Sequence, residues 1–236
     1  NPNNWSPVGV PDANTCVIIP PAPNTSNVLG TNYNGFGKTL QVINGGSLTL
    51  HPSNTLTITD FVEVRGASVF NIENTGSLIQ INNVPNIGNI TYKRTANLRQ
   101  QDYVYWSSPV ANFASNAISP GTSLGYQYKW TPTIATNFNF FGNWAAANET
   151  MVLGKGYIVR GPNAYSNAAL ANYTATFFGV PNNGNITIPI SRGSYDGVNY
   201  PTGVSTTPGT KYDDNWNLVG NPYPSAIDAL DFLTLN

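Results

Sequence analysis

Catalysis by this 236-residue chain would have to come from its few carboxylates, because many glycosidases act with two facing carboxyl groups. The candidates are Glu63, Glu73, Asp213, Asp214, Asp228 and Asp231. Asp228 lies where it can accept hydrogen bonds at the start of a C-terminal helix, which favours a capping role. Asp213-Asp214 lie in a polar turn whose oxygen atoms could bind Ca²⁺, with a solvated turn as the favoured interpretation. We therefore predict no catalytic residue and no cofactor, with calcium at Asp213-Asp214 as the one metal candidate.

The other residues with chemical potential are isolated in the sequence. His51 and Cys16 are the only histidine and the only cysteine, whereas a zinc site needs three or four such ligands. His51 precedes a proline at a turn, with no serine motif around it. Cys16 adjoins the apolar run Val17–Ile19, so we predict that it is a small buried side chain. Gly154-Lys155-Gly156 lacks the rest of a phosphate-binding loop and is interpreted as a turn.

Aromatic side chains are the better candidates for binding, since the chain has five Trp, thirteen Tyr and ten Phe. Two runs, Tyr103–Trp106 and Tyr126–Trp130, alternate, so one set should face a core and the other solvent. Core packing explains most of them. A solvent-facing row beside asparagine amides would suit sugar rings, and the residues we select as a candidate ligand site are Tyr103, Trp106, Tyr126, Trp130 and Trp144.

Composition narrows the class of protein. Charged residues are only 9% of the chain, well below the quarter that is usual, and the formal net charge is −1. With no basic cluster, the electrostatic basis of nucleic-acid binding is missing. No apolar run approaches the ~18 residues of a membrane span. The chain begins NPNNW, without a methionine or a signal-like segment, so we interpret it as a mature or processed chain or a fragment.

A repeat of twenty-two residues organises the N-terminal part. Thr39–Asp60 and Phe61–Asn82 align without a gap, apolar on apolar and turn on turn. Each line holds three short alternating runs separated by turn residues, which predicts a three-sided β-solenoid rather than a meander of hairpins. The side chains that should be buried in one column are Leu40, Val42, Leu48, Leu50, Leu56, Val62, Val64, Phe70, Ile72 and Leu78.

The same register can be extended in both directions. Run backwards, it places Ile18 under Leu40 and Phe36 under Ile58, which predicts a degenerate first turn capped by Trp5 and Pro7. Run forwards, it matches Ile58 with Gln80, while the adjacent isoleucines replace threonines. We expect the strand phase to change there, so that the stack ends and Asn82–Asn89 is a hinge.

Longer, aromatic-rich strands follow from Ile90. The segments are ITYKR, DYVYWSSPV, GYQYKW, KGYIVRG, YTATFFG, NITIPI and NWNLVG, separated by Gly, Pro, Asn and Ser. This spacing predicts a β-sandwich, and Ser225–Leu235 predicts a short helix with Ser225 as its N-cap. The expected fold is all-β, with a short three-sided β-solenoid and N-terminal cap over residues 1–88. A β-sandwich-like domain follows over residues 89–236, and its abrupt end would fit an incomplete sandwich in a fragment of a longer chain.

Three phrases together resemble a known group of proteins. They are the opening NWSPVGVPDANTCVIIP, the repeat itself, and the block that includes WSSPV at Trp106–Val110 and GNPYPSAID at Gly220–Asp228. They are similar to a region of large secreted surface proteins of the Bacteroidetes, including gliding-motility adhesin-like proteins carried by type IX secretion. The resemblance covers nearly the whole chain. It implies an extracellular location on a bacterial cell surface and no catalytic residues.

The function predicted from these observations is a non-enzymatic surface or adhesin module, acting as a stalk or an adhesion region. The alternative is the carbohydrate-binding region of a secreted polysaccharide-degrading enzyme. A third interpretation, a glycan lyase on the solenoid surface, would require an open groove with clustered Asp, Lys or Arg. The expected partners are the secretion machinery, further domains of the same polypeptide and surface glycans, with no nucleic acid and no membrane span.

Overall fold

The computed structural model describes residues 2–21, 27–28, 32–135, 141–193 and 216–235. A three-residue 3-10 helix, Pro2–Asn4, comes first, and nine short strands then form a three-sided parallel β-solenoid. The strands are β1 (Cys16–Ile19), β2 (Asn27–Val28), β3 (Asn34–Gly37), β4 (Thr39–Val42), β5 (Ser47–Leu50), β6 (Thr55–Ile58), β7 (Val62–Val64), β8 (Val69–Ile72) and β9 (Ser77–Gln80).

The three sides of the solenoid are parallel sheets, each taking every third strand. The first side has the order β1-β4-β7, the second contains β2-β5-β8 and the third is β3-β6-β9. Between the second and third turns the pairing joins residues twenty-two apart, as in Leu50 with Ile72 and Leu56 with Leu78. The predicted repeat is therefore confirmed.

The interior of the solenoid is a single apolar column. All ten side chains predicted for it are buried, and Leu50 and Ile72 are completely inaccessible to solvent. Burying each such side chain contributes roughly 1.5–3 kcal/mol. The column is therefore the main source of stability in this part of the molecule.

One corner of the solenoid repeats in register with its strands. Ser53 and Thr75 occupy the same corner of successive turns, and both have a left-handed backbone, with φ of 63° and 65°. The Ser53 backbone N–H donates to Thr75 Oγ1 at 3.0 Å, so side chains connect the turns as well. Turn residues in register thus mark the corners that the alignment predicted.

The register of the first turn differs from the prediction. Val17, not Ile18, pairs with Leu40, so Ile18 is 51% exposed and Cys16 is exposed as well. The run from Cys16 to Ile19 is apolar in both phases, so its sequence does not determine which side chains face inward. The predicted burial of Cys16 is wrong for the same reason.

The third side shows the complementary shift. Phe36 pairs with Thr57 and faces outward, while the glycines on either side of it, Gly35 and Gly37, face the core. The spacing to the next turn is thus twenty-one residues here and twenty-three on the first side. Trp5 packs against this end of the core as predicted, whereas Pro7 is exposed.

No change of phase occurs at the last turn. In β9 Leu78 stays buried and Ile79 is partly exposed, with Gln80 still paired to Ile58. The Gln80 amide faces the Asn86 amide, and each donates one hydrogen bond to the other at 2.8 Å. This reciprocal pair satisfies the polar group that an apolar column would leave without a partner.

The segment predicted as a hinge runs along the end of the solenoid. The Val64 N–H donates to the Ile87 carbonyl at 2.8 Å, and Glu63 and Ile87 form a parallel bridge. Gly88 follows with φ of 80°, and a Cβ atom there would lie 1.8 Å from the Val64 carbonyl oxygen. The segment therefore packs closely against β7 and covers the end of the first side of the solenoid.

The described residues of the C-terminal region form six strands, two short 3-10 helices and one α-helix. They are β10 (Ile90–Leu98), β11 (Tyr103–Trp106), the 3-10 helices Ser115–Ala117 and Leu124–Tyr126, β12 (Gln127–Ala135), β13 (Phe141–Ala146), β14 (Tyr157–Arg160), β15 (Ala171–Gly179) and α1 (Ala229–Leu235). β13 was not predicted from the sequence. The predicted strand NITIPI, residues 185–190, is not a strand. The described part of NWNLVG, residues 216–220, contributes only a bridge between Val219 and Lys155.

Two sheets pack against each other in this region. β11, β14, β12 and β13 form an antiparallel four-stranded sheet in that order. β10 pairs along its whole length with β15, and its start also pairs in parallel with β8 of the solenoid, so one sheet with the order β15-β10-β8-β5-β2 runs through both regions. Tyr157 of the four-stranded sheet belongs to the same buried cluster as Tyr92 and Phe177 of the shared sheet.

The C-terminal block returns to the solenoid before the helix begins. The Leu78 N–H of β9 donates to the Pro224 carbonyl at 2.8 Å, so this block covers the end of the third side. Asp228 then caps α1, because its Oδ1 accepts hydrogen bonds from the N–H groups of Leu230 and Asp231. The predicted capping role of Asp228 is confirmed, but Asp228, and not Ser225, is the N-cap.

Candidate functional site

The outer face of the four-stranded sheet is rich in aromatic side chains. Residues directly opposite on paired strands share a face, and the register places Tyr105, Ile158 and Tyr128 opposite one another across three strands. Trp130 lies opposite Trp144 on the next pair. Tyr103 lies two positions from Tyr105 on β11, and Tyr126 ends the 3-10 helix just before β12, beside Arg160, the partner of Tyr103. The aromatic face therefore comprises Tyr103, Tyr105, Tyr126, Tyr128, Trp130 and Trp144.

Much of this aromatic surface is open to solvent. Tyr105 is 66% exposed, and Tyr103, Tyr126 and Trp144 are each exposed by more than a third. Tyr103 and Tyr128 contact each other with ring centroids 6.1 Å apart. Large aromatic rings that remain exposed in a group mark an interaction surface more often than a packing defect.

Trp130 is held in place from three sides. Its Nε1 donates to the Trp216 carbonyl at 2.7 Å, and its ring meets the Trp144 ring edge-on at a centroid distance of 5.2 Å. Gly142 lies beneath it with φ of 97°, and a Cβ atom there would be 2.4 Å from the Trp130 ring. Trp216, whose carbonyl makes this contact beside the aromatic face, is itself 68% exposed.

One cation adjoins the aromatic face. Arg160 is opposite Tyr103, and its guanidinium lies over the Tyr126 ring at 3.3 Å from the centroid. Partial burial and the neighbouring Tyr128 raise the pKa of Tyr103, and the charge of Arg160 opposes that shift. The Tyr103 phenol therefore stays neutral at neutral pH beside the positive charge of Arg160.

Polar contacts support the sheet from its other side. Lys129 forms an ion pair with Glu149, and the Tyr157 hydroxyl donates to Glu149 Oε1 at 2.9 Å. Burial raises the pKa of Tyr157 to about 12, so this hydroxyl remains a donor. Partial burial opposes ionisation of Glu149, but the hydrogen bonds from Lys129 and Tyr157 outweigh it and lower the pKa of that carboxyl.

Four of the five aromatic residues selected from the sequence lie on this face. The exception is Trp106, which lies on the inner side and packs against Phe177 at 6.2 Å between ring centroids. Tyr105, Tyr128 and Trp216 were missed. Alternation places Tyr105 on the same face as Tyr103, and Tyr128 on the same face as Trp130, so Tyr105 and Tyr128 could have been found from the sequence. Trp216 lies far away in sequence, and no local pattern connects it with this face.

Glu63 and Glu73, two of the carboxylates considered for catalysis, are engaged in separate contacts. Glu63 is buried and accepts hydrogen bonds from Gln41 and Arg65. Glu73 pairs with Lys93 at 2.8 Å. The calcium candidates Asp213 and Asp214 lie outside the described residues. Within the ranges that the structure describes, no group of three His, Cys, Asp or Glu could hold a metal ion.

The two most specific phrases of the sequence meet where solenoid and sandwich-like region join. The buried Asn182 amide donates to the Ser108 carbonyl at 3.1 Å and to the Pro222 carbonyl at 2.8 Å. Ser108 belongs to WSSPV and Pro222 to GNPYPSAID. Both phrases therefore have a structural task, which is to fasten the junction.

Fold and site together define an all-β protein in which a three-turn solenoid shares a sheet with an aromatic-faced domain. The chain belongs to a family described as a domain of unknown function, DUF8693, whose model matches residues 1–236. No curated protein and no solved structure matches the chain. None of the described helices is long and apolar enough to cross a membrane.

Proposed function

We propose that this chain is a non-enzymatic adhesion module of a secreted bacterial surface protein, and that its aromatic face binds surface glycans. The observation that carries the proposal is the cluster of exposed tyrosine and tryptophan rings on one sheet face. Sugar rings stack on such surfaces through their C–H groups, and phenol and indole groups supply hydrogen bonds at the rim.

The solenoid supplies the stalk in this proposal. Its stacked turns bury one continuous column. The sheet that contains β5 and β8 of the solenoid continues through β10 and β15 into the aromatic-faced domain. A bound glycan would therefore pull on paired strands and not on a flexible linker. The extracellular location and the further domains of the parent polypeptide, inferred from sequence resemblance, belong to the same proposal.

Binding to a panel of insoluble and soluble polysaccharides tests the proposal. We expect retention of the purified chain on at least one of them, and replacement of Tyr105 and Trp144 by Ala should lower that retention about tenfold, since each lost stacking contact removes roughly 0.5–1.5 kcal/mol. Phe178→Ala is the matched control, because Phe178 is 61% exposed on β15, away from the aromatic face. Equal loss in both variants, or no binding at all, contradicts the proposal.

The same panel addresses the enzyme question. We expect no release of reducing ends and no unsaturated products. Turnover that disappears when a single carboxylate is replaced would overturn the non-enzymatic interpretation. The retention expected of an adhesion module is weak, so tight, specific binding without turnover would instead favour the second candidate, the carbohydrate-binding region of a polysaccharide-degrading enzyme, which the same aromatic face supports.

A further inference from the structure

A second site lies at the junction of the two regions, separate from most of the aromatic face. A cleft of about 410 Å³ opens between β10, the end of β11 and the C-terminal block. This volume falls in the range of small-ligand sites. Residues of WSSPV and GNPYPSAID form much of its wall, including Trp106, Ser107, Gly220 and Asn221.

The charge of the cleft is positive. Among the described residues that line it, Arg94 is the only charged side chain. Arg94 donates to the carbonyls of Glu73, Lys93 and Gly76, which occupies three of its five N–H donors. No carboxylate in the described part of the chain forms an ion pair with it, because Glu73 pairs with Lys93 instead. A half-buried guanidinium without a counter-ion is best compensated by an anionic ligand.

The walls of the cleft are aromatic and hydroxylated. The Arg94 guanidinium lies 3.9 Å from the centroid of the Tyr92 ring, and both residues line the cleft. Tyr105 and Trp106 of β11 also line the cleft. The Ser107 hydroxyl is buried there, and the described residues provide no hydrogen-bond partner for it. A ligand that combines a carboxylate with a ring bearing hydroxyl groups matches these features.

We infer that the junction cleft binds one acidic sugar unit, a uronic acid, with its carboxylate at Arg94 and its ring between the aromatic walls. The cleft is distinct from the aromatic face, and Tyr105 is the one residue of that face that also lines the cleft. An acidic glycan could then be held at two points, one on the open sheet face and one at the junction.

Titration of the full chain with sodium D-glucuronate, methyl α-D-glucoside and sodium acetate, followed by amide NMR, tests the inference. Glucuronate should bind about tenfold more tightly than either the neutral sugar or acetate, because only glucuronate combines a carboxylate for a charge-assisted hydrogen bond with a sugar ring for the aromatic side chains. The shifted amides should include Ser107, Gly220 and Asn221. Equal affinity for acetate would show a site for any small anion, and equal affinity for the glucoside would show that Arg94 has no role; either result overturns the inference.

Three variants separate glucuronate binding from folding and from the aromatic face. Arg94→Gln should abolish the preference for glucuronate but also removes contacts with the solenoid. Ala96→Leu leaves Arg94 intact and fills the cleft from the same strand face, so it should block glucuronate while the spectrum remains that of a folded chain. Trp144→Ala should weaken polysaccharide retention and leave glucuronate binding unchanged. If Ala96→Leu binds glucuronate normally, the ligand is elsewhere, whatever the polysaccharide panel shows.

Discussion

The solenoid and the aromatic-faced domain bury similar side chains by different rules. In the solenoid each inward position is repeated one turn later, so Leu50 and Ile72 confirm each other's orientation. In the C-terminal region every strand occurs once, and only its partner strands determine which face is inward, as with Trp106 and Tyr105. In a repeat, the sequence alone therefore shows which side chains face the core. In a sandwich-like domain, that can be decided only when the pairing of distant strands is known.

The two regions are nevertheless joined more closely than their sequences suggest. β10 continues the second side of the solenoid and is also the full-length partner of β15. The Arg94 guanidinium donates to two carbonyls at a solenoid corner, those of Glu73 and Gly76. Unfolding of one region should therefore destabilise the other.

The largest expected effect comes from the solenoid column. Leu50→Ala removes a fully buried side chain that packs between turns, and it should lower the free energy of unfolding by about 2–5 kcal/mol. Urea denaturation followed by circular dichroism measures this change. Thr49→Ala, one residue away and outward-facing, should change stability by no more than about 0.5 kcal/mol. Similar losses in both variants would mean that the column is not the main source of stability.

Much of the solenoid could be predicted because its apolar positions and its turns repeat together. The ten column residues and the left-handed corners at Ser53 and Thr75 follow from one alignment. The first turn could not be predicted, because the run around Ile18 is apolar in both phases and the turn lengths are twenty-three and twenty-one residues. At Gln80 a polar residue stayed in register because Asn86, which the repeat does not include, satisfies its amide.

The C-terminal region shows the limits of local patterns. Alternation in NITIPI suggested a strand, yet Pro189 lacks a donor and Ile190 is 74% exposed. β13 has no clear alternation, and the structure places it opposite β12 through the pair Trp130 and Trp144. For the candidate site, alternation identified aromatic runs but not the outward phase, since that depends on β14 lying between β11 and β12.

The second prediction concerns the connection between the regions. Arg94→Met removes three hydrogen bonds to backbone carbonyls, two of them at the solenoid corner, and should lower the free energy of unfolding by about 2 kcal/mol. Arg99→Met is the matched control, because Arg99 is exposed and its side chain donates to the Ala168 carbonyl within the C-terminal region. Its loss should be smaller than about 1 kcal/mol. A larger effect of Arg99→Met would place the important contact outside the junction.

The smallest expected effect is a pH-dependent contribution beneath the aromatic face. The pKa of Glu149 is lowered in the folded chain, because hydrogen bonds from Lys129 and Tyr157 outweigh the opposing effect of burial. A carboxyl with a depressed pKa stabilises the fold fully above its unfolded value of about 4.3, and this contribution is lost as the pH falls through the folded pKa. Because the pair is partly exposed, it should be worth at most about 1 kcal/mol.

Glu149→Gln tests this contribution without removing the acceptor for Tyr157, because the Gln amide oxygen can still accept that hydrogen bond. The difference in unfolding free energy between the parent chain and the variant should be constant from about pH 6 to 8 and should shrink as the pH falls below about 4.3. Lys129→Met should produce the same pH-dependent difference, because it removes the other half of the pair. A difference that grows toward acid pH would mean that burial, and not the hydrogen bonds, dominates at Glu149. The aromatic face would then rest on a carboxyl that weakens the sheet when it is charged.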